Sequence, residues 1–166
     1  MSHTIRALRP EDWPEVHAIF VEGIKTGTAT FETAAPAWEQ WDRSHLPHSR
    51  LVACDADGRV AGWAAVSPVS DRCAYGGVAE VSVYVSAGSR GQGVGKALLD
   101  ALITESEAAG VWTLQAGMFA ENGGSIALHE RCGFRTVGVR ERLGALNGEW
   151  HDVVLMERRS PTVGAA

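Results

Sequence analysis

At 166 residues, 45% of them hydrophobic and 21% charged, the chain has the size and composition of one globular domain and can bury a sizeable core without staples. Its formal charge of −5, from 15 basic and 20 acidic side chains, argues against a general nucleic-acid binder, and no run approaches the ~18 apolar residues of a membrane helix. The cysteines Cys54, Cys73 and Cys132 have no CxxC spacing and leave an odd count, so a reduced, cytoplasmic protein is expected.

Thr4–Ala7 reads as a short strand, and Pro10 is expected to open a helix where its missing N–H costs nothing. Trp13, Val16, Phe20 and Ile24 recur at helical spacing and give that helix an apolar face. Residues 25–33 (KTGTATFET) read as loop and residues 37–43 as a short helix. Leu51–Cys54 and residues 60–66 are apolar runs on either side of Asp57-Gly58, a pair that tolerates the positive φ of a tight turn, so they are expected to form a hairpin. After a loop over residues 67–77, Val78–Val85 alternates, with Glu80, Ser82 and Tyr84 on one face and Val81, Val83 and Val85 on the other. The next helix carries Leu98, Leu99, Leu102 and Ile103 and stops at Gly110. Residues 111–119 form a strand that the intervening helix allows to lie parallel to Val78–Val85. Ser125 is expected to cap a helix that Gly133 ends, and strands at residues 134–139 and 150–157 flank the Asn147-Gly148 turn. The sum is an α+β domain over residues 1–159 on a mixed sheet, followed by a flexible tail at residues 160–166.

The most informative stretch is residues 80–96, EVSVYVSAGSRGQGVGK, a strand running through a glycine-rich turn into a helix. Helix starts present unpaired N–H groups and partial positive charge, so this junction can hold a phosphate or pyrophosphate. Gly91, Gly93 and Gly95 are expected to supply φ > 0 and close approach, with Arg90 and Lys96 adding charge. A P-loop is excluded, because Lys96 is followed by Ala97 and its spacing from Gly91 is wrong. A dinucleotide fingerprint is excluded by the order R-G-Q-G-V-G and its position halfway along the chain.

Arg90-x-x-Gly93-x-Gly95 resembles the acetyl-CoA pyrophosphate loop of the GNAT N-acetyltransferase superfamily, as does the later segment ENGGSIALHERCGF with Asn122, His129 and Gly133-Phe134. Arg72-x-Ala74-Tyr75-x4-Glu80-x-Ser82-Val83-Tyr84-Val85, together with Gly148-x-Trp150-His151-Asp152-Val153 and Phe31, is similar to the phosphinothricin and methionine-sulfoximine N-acetyltransferases within it. The chain departs from their pattern at Gly76-Gly77, where bulkier residues are usual. The resemblance implies a GNAT fold: a mixed, mostly antiparallel sheet with a central splayed parallel pair, flanked by helices. It also implies acetyl-CoA as co-substrate, no metal, a small amino-acid-like substrate and a homodimer.

On that resemblance Glu80 is the candidate base for the amine, which must lose a proton before it attacks a thioester. Val83, Tyr84 and Val85 would line the thioester track, and a backbone N–H there would hold the oxyanion. Arg90, Gly91, Gln92, Gly93, Val94, Gly95, Lys96 and Asn122 are the remaining expected cofactor contacts. His129 stands where many such enzymes place an acid, and it can donate to sulfur, contact substrate or pack. Arg72 suits bidentate contact with a carboxylate or phosphinate, and Phe31, Tyr75 and Tyr84 would wall the substrate pocket. His129 and Cys132 lie one helical turn apart but lack a third metal ligand. A polyamine, an aminoglycoside or a protein N-terminus is the alternative acceptor, and a non-catalytic acetyl-CoA-binding module the alternative role.

Overall fold

The computed structural model, which describes residues 2–165, joins the strands of the chain into one seven-stranded sheet. In chain order the elements are β1 (Thr4–Ala7), α1 (Trp13–Lys25), α2 (Trp38–Ser44), β2 (Leu51–Cys54), β3 (Val60–Pro68), β4 (Val78–Val85), α3 (Val94–Ala108), β5 (Thr113–Phe119), α4 (Gly123–Arg131), β6 (Arg135–Leu146) and β7 (Glu149–Arg159). The spatial order is β1-β2-β3-β4-β5-β7-β6, with β4 and β5 parallel and the other neighbours antiparallel. This is the mixed, mostly antiparallel α+β architecture expected from the sequence.

Helices cover both faces of the sheet centre, which explains why β3 reads as an unbroken apolar run rather than an alternating one. On one face Leu98, Leu99 and Leu102 of α3 pack on Ala64, Val66, Ala79, Leu114 and Met156. On the other, Val16, Ile19 and Phe20 of α1 and Trp41 of α2 pack on Val52, Trp63 and Ala65. The β6–β7 hairpin turns at Asn147 and Gly148, whose φ values of 50° and 82° are the two positive angles a tight turn between twisted strands needs.

Several local expectations are corrected. Pro10 opens a single 3₁₀ turn, and α1 begins at Trp13 with Pro14 in its first turn, where a missing N–H costs nothing. The cap of α4 is Asn122, whose side chain accepts the Ser125 N–H, so Ser125 lies inside the first turn. Strand β6 extends to Leu146 through shifts of register between Thr136 and Gly138 and between Arg140 and Gly144. There Arg142 takes φ 44° and its N–H donates to Asp152 Oδ1 at 2.8 Å, which lets the polar run RERLG remain in the strand. In the segment expected as a tail, Ser160 N–H donates to the Trp112 carbonyl at 2.7 Å, and Arg159 donates to the Val163 and Gly164 carbonyls at 2.7 and 2.8 Å, contacts that leave the expectation of flexibility untested.

The feature that positions a site is the short pairing of β4 with β5. Only Val78↔Thr113, Ala79↔Leu114 and Glu80↔Gln115 are in register, although both strands continue. Beyond Glu80 each strand follows its other neighbour, β4 with β3 as far as Val85↔Gly62 and β5 with β7 as far as Phe119↔Val153. The sheet therefore opens as a V with Glu80 and Gln115 at its apex.

Candidate active site

A cleft of about 790 Å³ occupies this opening. Its walls are Val83, Tyr84 and Val85 of β4 and Ala116, Gly117, Met118 and Phe119 of β5; Glu80 lies at its closed end. The glycine turn and the start of α3, with Arg90, Gly91, Gly93, Val94, Gly95 and Lys96, form its mouth, while Phe31, Asn122 and His129 close its flanks.

The mouth is built as an anion cradle. Gly91 and Gly93 take φ 76° and 80°, and Gly93 is the residue on which α3 starts. The Ala97 N–H donates to the Gly93 carbonyl, so the N–H groups of Val94, Gly95 and Lys96 lie ahead of the helical ladder, free for an anion. Gly95 has a different reason from the one expected. It is helical, and a Cβ there would come within 3.1 Å of Leu128 Cδ2, so it serves the close packing of α3 on α4. Lys96 Nζ pairs with Asp100 at 2.6 Å on the exposed side of α3. Gln92 does not line the cleft, and its side-chain nitrogen donates to the Gly88 carbonyl at 3.3 Å.

Glu80 projects from the α1-facing side of the sheet, as the alternation of β4 predicts, and it is half-buried. Gln115 Nε2 donates to Glu80 Oε1 at 3.0 Å. Tyr84, two residues on, is fixed by stacking on Trp63 and Phe20, with ring centroids 4.8 and 5.1 Å apart. The α1 backbone comes so close that a Cβ on Gly23 would sit 2.7 Å from the Tyr84 ring. Burial raises the Tyr84 phenol above its ordinary range, so it stays neutral and serves as wall. Phe31 pins the loop between α1 and α2, packing edge-on against Phe119 at 4.6 Å and against Gly144, where a Cβ would approach to 3.0 Å. Asn122 ties the same loop to α4, because its Nδ2 donates to the Thr28 carbonyl at 3.3 Å.

His129 is buried on α4 with its Nδ1 2.7 Å from the Ser125 carbonyl. A carbonyl only accepts, so Nδ1 carries the proton and neutral Nε2 is left as a lone pair. Among the described residues Nε2 has no partner, and burial lowers the imidazole's pKa. The ring is thus fitted to accept a hydrogen bond at Nε2, not to donate one.

Arg72 and Tyr75 are not brought into the cleft. They lie on the exposed loop ahead of β4, with the guanidinium carbon 5.6 Å from the Tyr75 ring centre. The sequence reading also missed Gln115, which is recognisable only once the parallel register is known, and Arg131, a third cation lining the mouth. Among the described residues no three His, Cys, Asp or Glu side chains converge as metal ligands, and no helix is long and apolar enough to cross a membrane.

A sheet opened between parallel strands, with a helix-start anion cradle at the mouth and a carboxylate at the apex, can take an extended, phosphate-bearing ligand between two strands and present it to a base. The sequence pattern of the acetyltransferase (GNAT) family matches residues 6–134. The chain is 36% identical over 164 residues to a phosphinothricin N-acetyltransferase of Alcaligenes faecalis, covering 93% of this chain and 81% of that one. It is 34% identical over 163 residues to an L-methionine sulfoximine/L-methionine sulfone acetyltransferase of Pseudomonas aeruginosa, covering 95% and 94%. A crystal structure of a GNAT superfamily phosphinothricin acetyltransferase from Sinorhizobium meliloti in complex with AcCoA superposes with a TM-score of 0.90 at 30% identity, covering 100% of this chain and 92% of that one. The chain belongs to the acetyltransferase (GNAT) family and is an N-acetyltransferase.

Proposed function

We propose that this enzyme transfers the acetyl group of acetyl-CoA to the α-amine of a small amino acid or analogue, with L-phosphinothricin or L-methionine sulfoximine/sulfone as the leading acceptors. The observation that carries the reading is the V between β4 and β5, with an anion cradle at its mouth and Glu80 at its apex. The substrate class is supported by the names of the relatives above.

Acetyl-CoA fits these residues. The free N–H groups at the start of α3 and the positive-φ glycines suit its pyrophosphate, and Arg90 and Arg131 add charge at the mouth. The unpaired edges of β4 and β5 leave main-chain groups for the pantetheine amides. When bound, acetyl-CoA supplies the thioester carbonyl. Glu80 takes the proton of the ammonium, directly or through a water, so that a neutral amine can attack. A β4 backbone N–H in the Val83–Val85 segment stabilises the oxyanion, with its dipole fixed in advance by the β3–β4 ladder. The nitrogen loses its second proton once it is acylated, and that proton ends on the thiolate released as the C–S bond breaks; a thiol of cysteine-like acidity leaves without an obligatory protein donor, in keeping with a neutral His129 that offers an acceptor. Arg72 and Tyr75 carry no part of the reaction in this reading. A homodimer is supported by apolar side chains left exposed on the β6–β7 hairpin, Val137, Val139 and Trp150.

The test is thiol release from acetyl-CoA with a panel of phosphinothricin, methionine sulfoximine, methionine sulfone, lysine, spermidine and an alanine-terminated peptide. Turnover is expected with the first three. Release with spermidine or peptide alone would overturn the substrate class, and binding of acetyl-CoA without release with any amine would favour a cofactor-binding module. Glu80→Gln is expected to lower kcat by about 100-fold or more with acetyl-CoA affinity unchanged.

A further inference from the structure

We propose that Gln115 is the positioning residue of the active site, holding one oxygen of the Glu80 carboxylate so that the other faces the amine; this rests on the reading of Glu80 as the base. Glu80↔Gln115 is the last rung of the β4–β5 pairing, so the two side chains stand side by side on one face where the strands part. The Gln115 Nε2 donor meets Glu80 Oε1 at 3.0 Å in a partly buried setting. The Glu80 carboxyl accepts this hydrogen bond, which occupies one of its two oxygens.

The same face of β5 then has no side chain at its next position. That residue is Gly117, which lines the cleft, and Phe119 follows it at the far end. Gln115 is therefore the last β5 side chain before the space in which an amine can reach Glu80. Its amide is neutral, so it fixes the carboxylate's rotamer without cancelling the charge that draws a proton. An Arg or Lys at this position would form an ion pair instead and compete with the substrate ammonium. A glutamate side chain has three rotatable bonds, and leaving them free spreads the carboxylate over orientations that do not meet the nitrogen.

The test compares Gln115→Met, close in shape but without the donor, with Glu80→Gln and the double variant. Acetyl-CoA and the best acceptor of the panel are used, and thermal midpoints are measured in parallel. Gln115→Met is expected to lower kcat by about 10- to 30-fold, with the KM for acetyl-CoA within about 2-fold of wild type. Added to Glu80→Gln it is expected to cost nothing further, because its effect passes through the lost carboxylate. Gln115→Asn, which withdraws the amide by one methylene, should show the same loss and guards against a folding defect in the first variant. Wild-type turnover in Gln115→Met, or losses that multiply in the double variant, would overturn the proposal. If Glu80→Gln itself turns over normally, or no amine is acetylated, the base reading fails and this proposal falls with it. If Glu80→Gln is slow and Gln115→Met is not, only the positioning role fails.

Discussion

Single glycines in this chain answer to different physical demands, and the glycine turn separates two of them within three residues. Gly93 sits at φ 80°, where a side chain strains the backbone, yet a Cβ there would meet no protein atom within 4 Å. Gly95 has ordinary helical backbone but presses on Leu128. Gly93→Val is therefore expected to act on the cradle: about 1–2 kcal/mol of left-handed strain must be absorbed, and the side chain projects where an anion would approach. Isothermal titration should show acetyl-CoA affinity at least about 10-fold weaker, since 1.4 kcal/mol is already a factor of ten. Unchanged affinity in a folded Gly93→Val variant would remove the pyrophosphate assignment. The sequence alone makes the two glycines look equivalent, because a G-x-G spacing carries no record of which φ is positive.

At the scale of elements, the order and type of nearly every strand and helix could be read from periodicity and turn residues, and so could the face of β4 that carries Glu80. What could not be read was the length of the β4–β5 pairing, because the two strands part through what their other neighbours demand. The register that puts Gln115 beside Glu80 and the position of the loop bearing Arg72 were hidden for the same reason: both depend on packing between distant segments. The Gly76-Gly77 departure does have a local explanation. A Cβ on Gly77 would lie 2.0 Å from Trp112 Cε3, and the Trp112 N–H donates to the Gly77 carbonyl at 2.8 Å, so the indole fills the place of a side chain. The Trp112 carbonyl in turn accepts from Ser160, which anchors the C-terminal segment. Gly77→Ala is expected to cost about 1–3 kcal/mol through overpacking at this junction. In a Trp112→Ala background, chemical denaturation should find most of that cost gone; equal costs in both backgrounds would show that the indole is not what excludes the methyl group.

Over the whole molecule, the buried titratable groups define a pH range in which the fold is most stable. Burial lowers the pKa of His129 and of His45, whose Nδ1 lies 2.7 Å from the Trp41 carbonyl. The unfolded chain therefore binds protons at these rings before the folded one does, starting near their ordinary value of 6.5. Their contribution is complete above about pH 6.5 and is lost as the pH falls toward their lowered folded values. Asp12, hydrogen-bonded by both terminal nitrogens of Arg6 at 2.8 Å, is held below its ordinary 3.8 and adds a second loss as the pH falls past that value. On the alkaline side burial raises the Cys132 thiol from 9.0 to about 11 and also raises Cys54. The folded state then keeps protons that the unfolded chain releases, and stability declines as the pH rises past about 9. Thermal midpoints at constant ionic strength are thus expected to plateau between about pH 6.5 and 9 and to fall on both sides. His129→Gln should make the decline between pH 7 and 5 shallower, because one of the two rings that drive it is gone. A midpoint that stays level or rises as the wild type is taken from pH 7 to 5 would mean that the two imidazoles are not held neutral by the fold, and the acceptor role given to His129 would lose its basis.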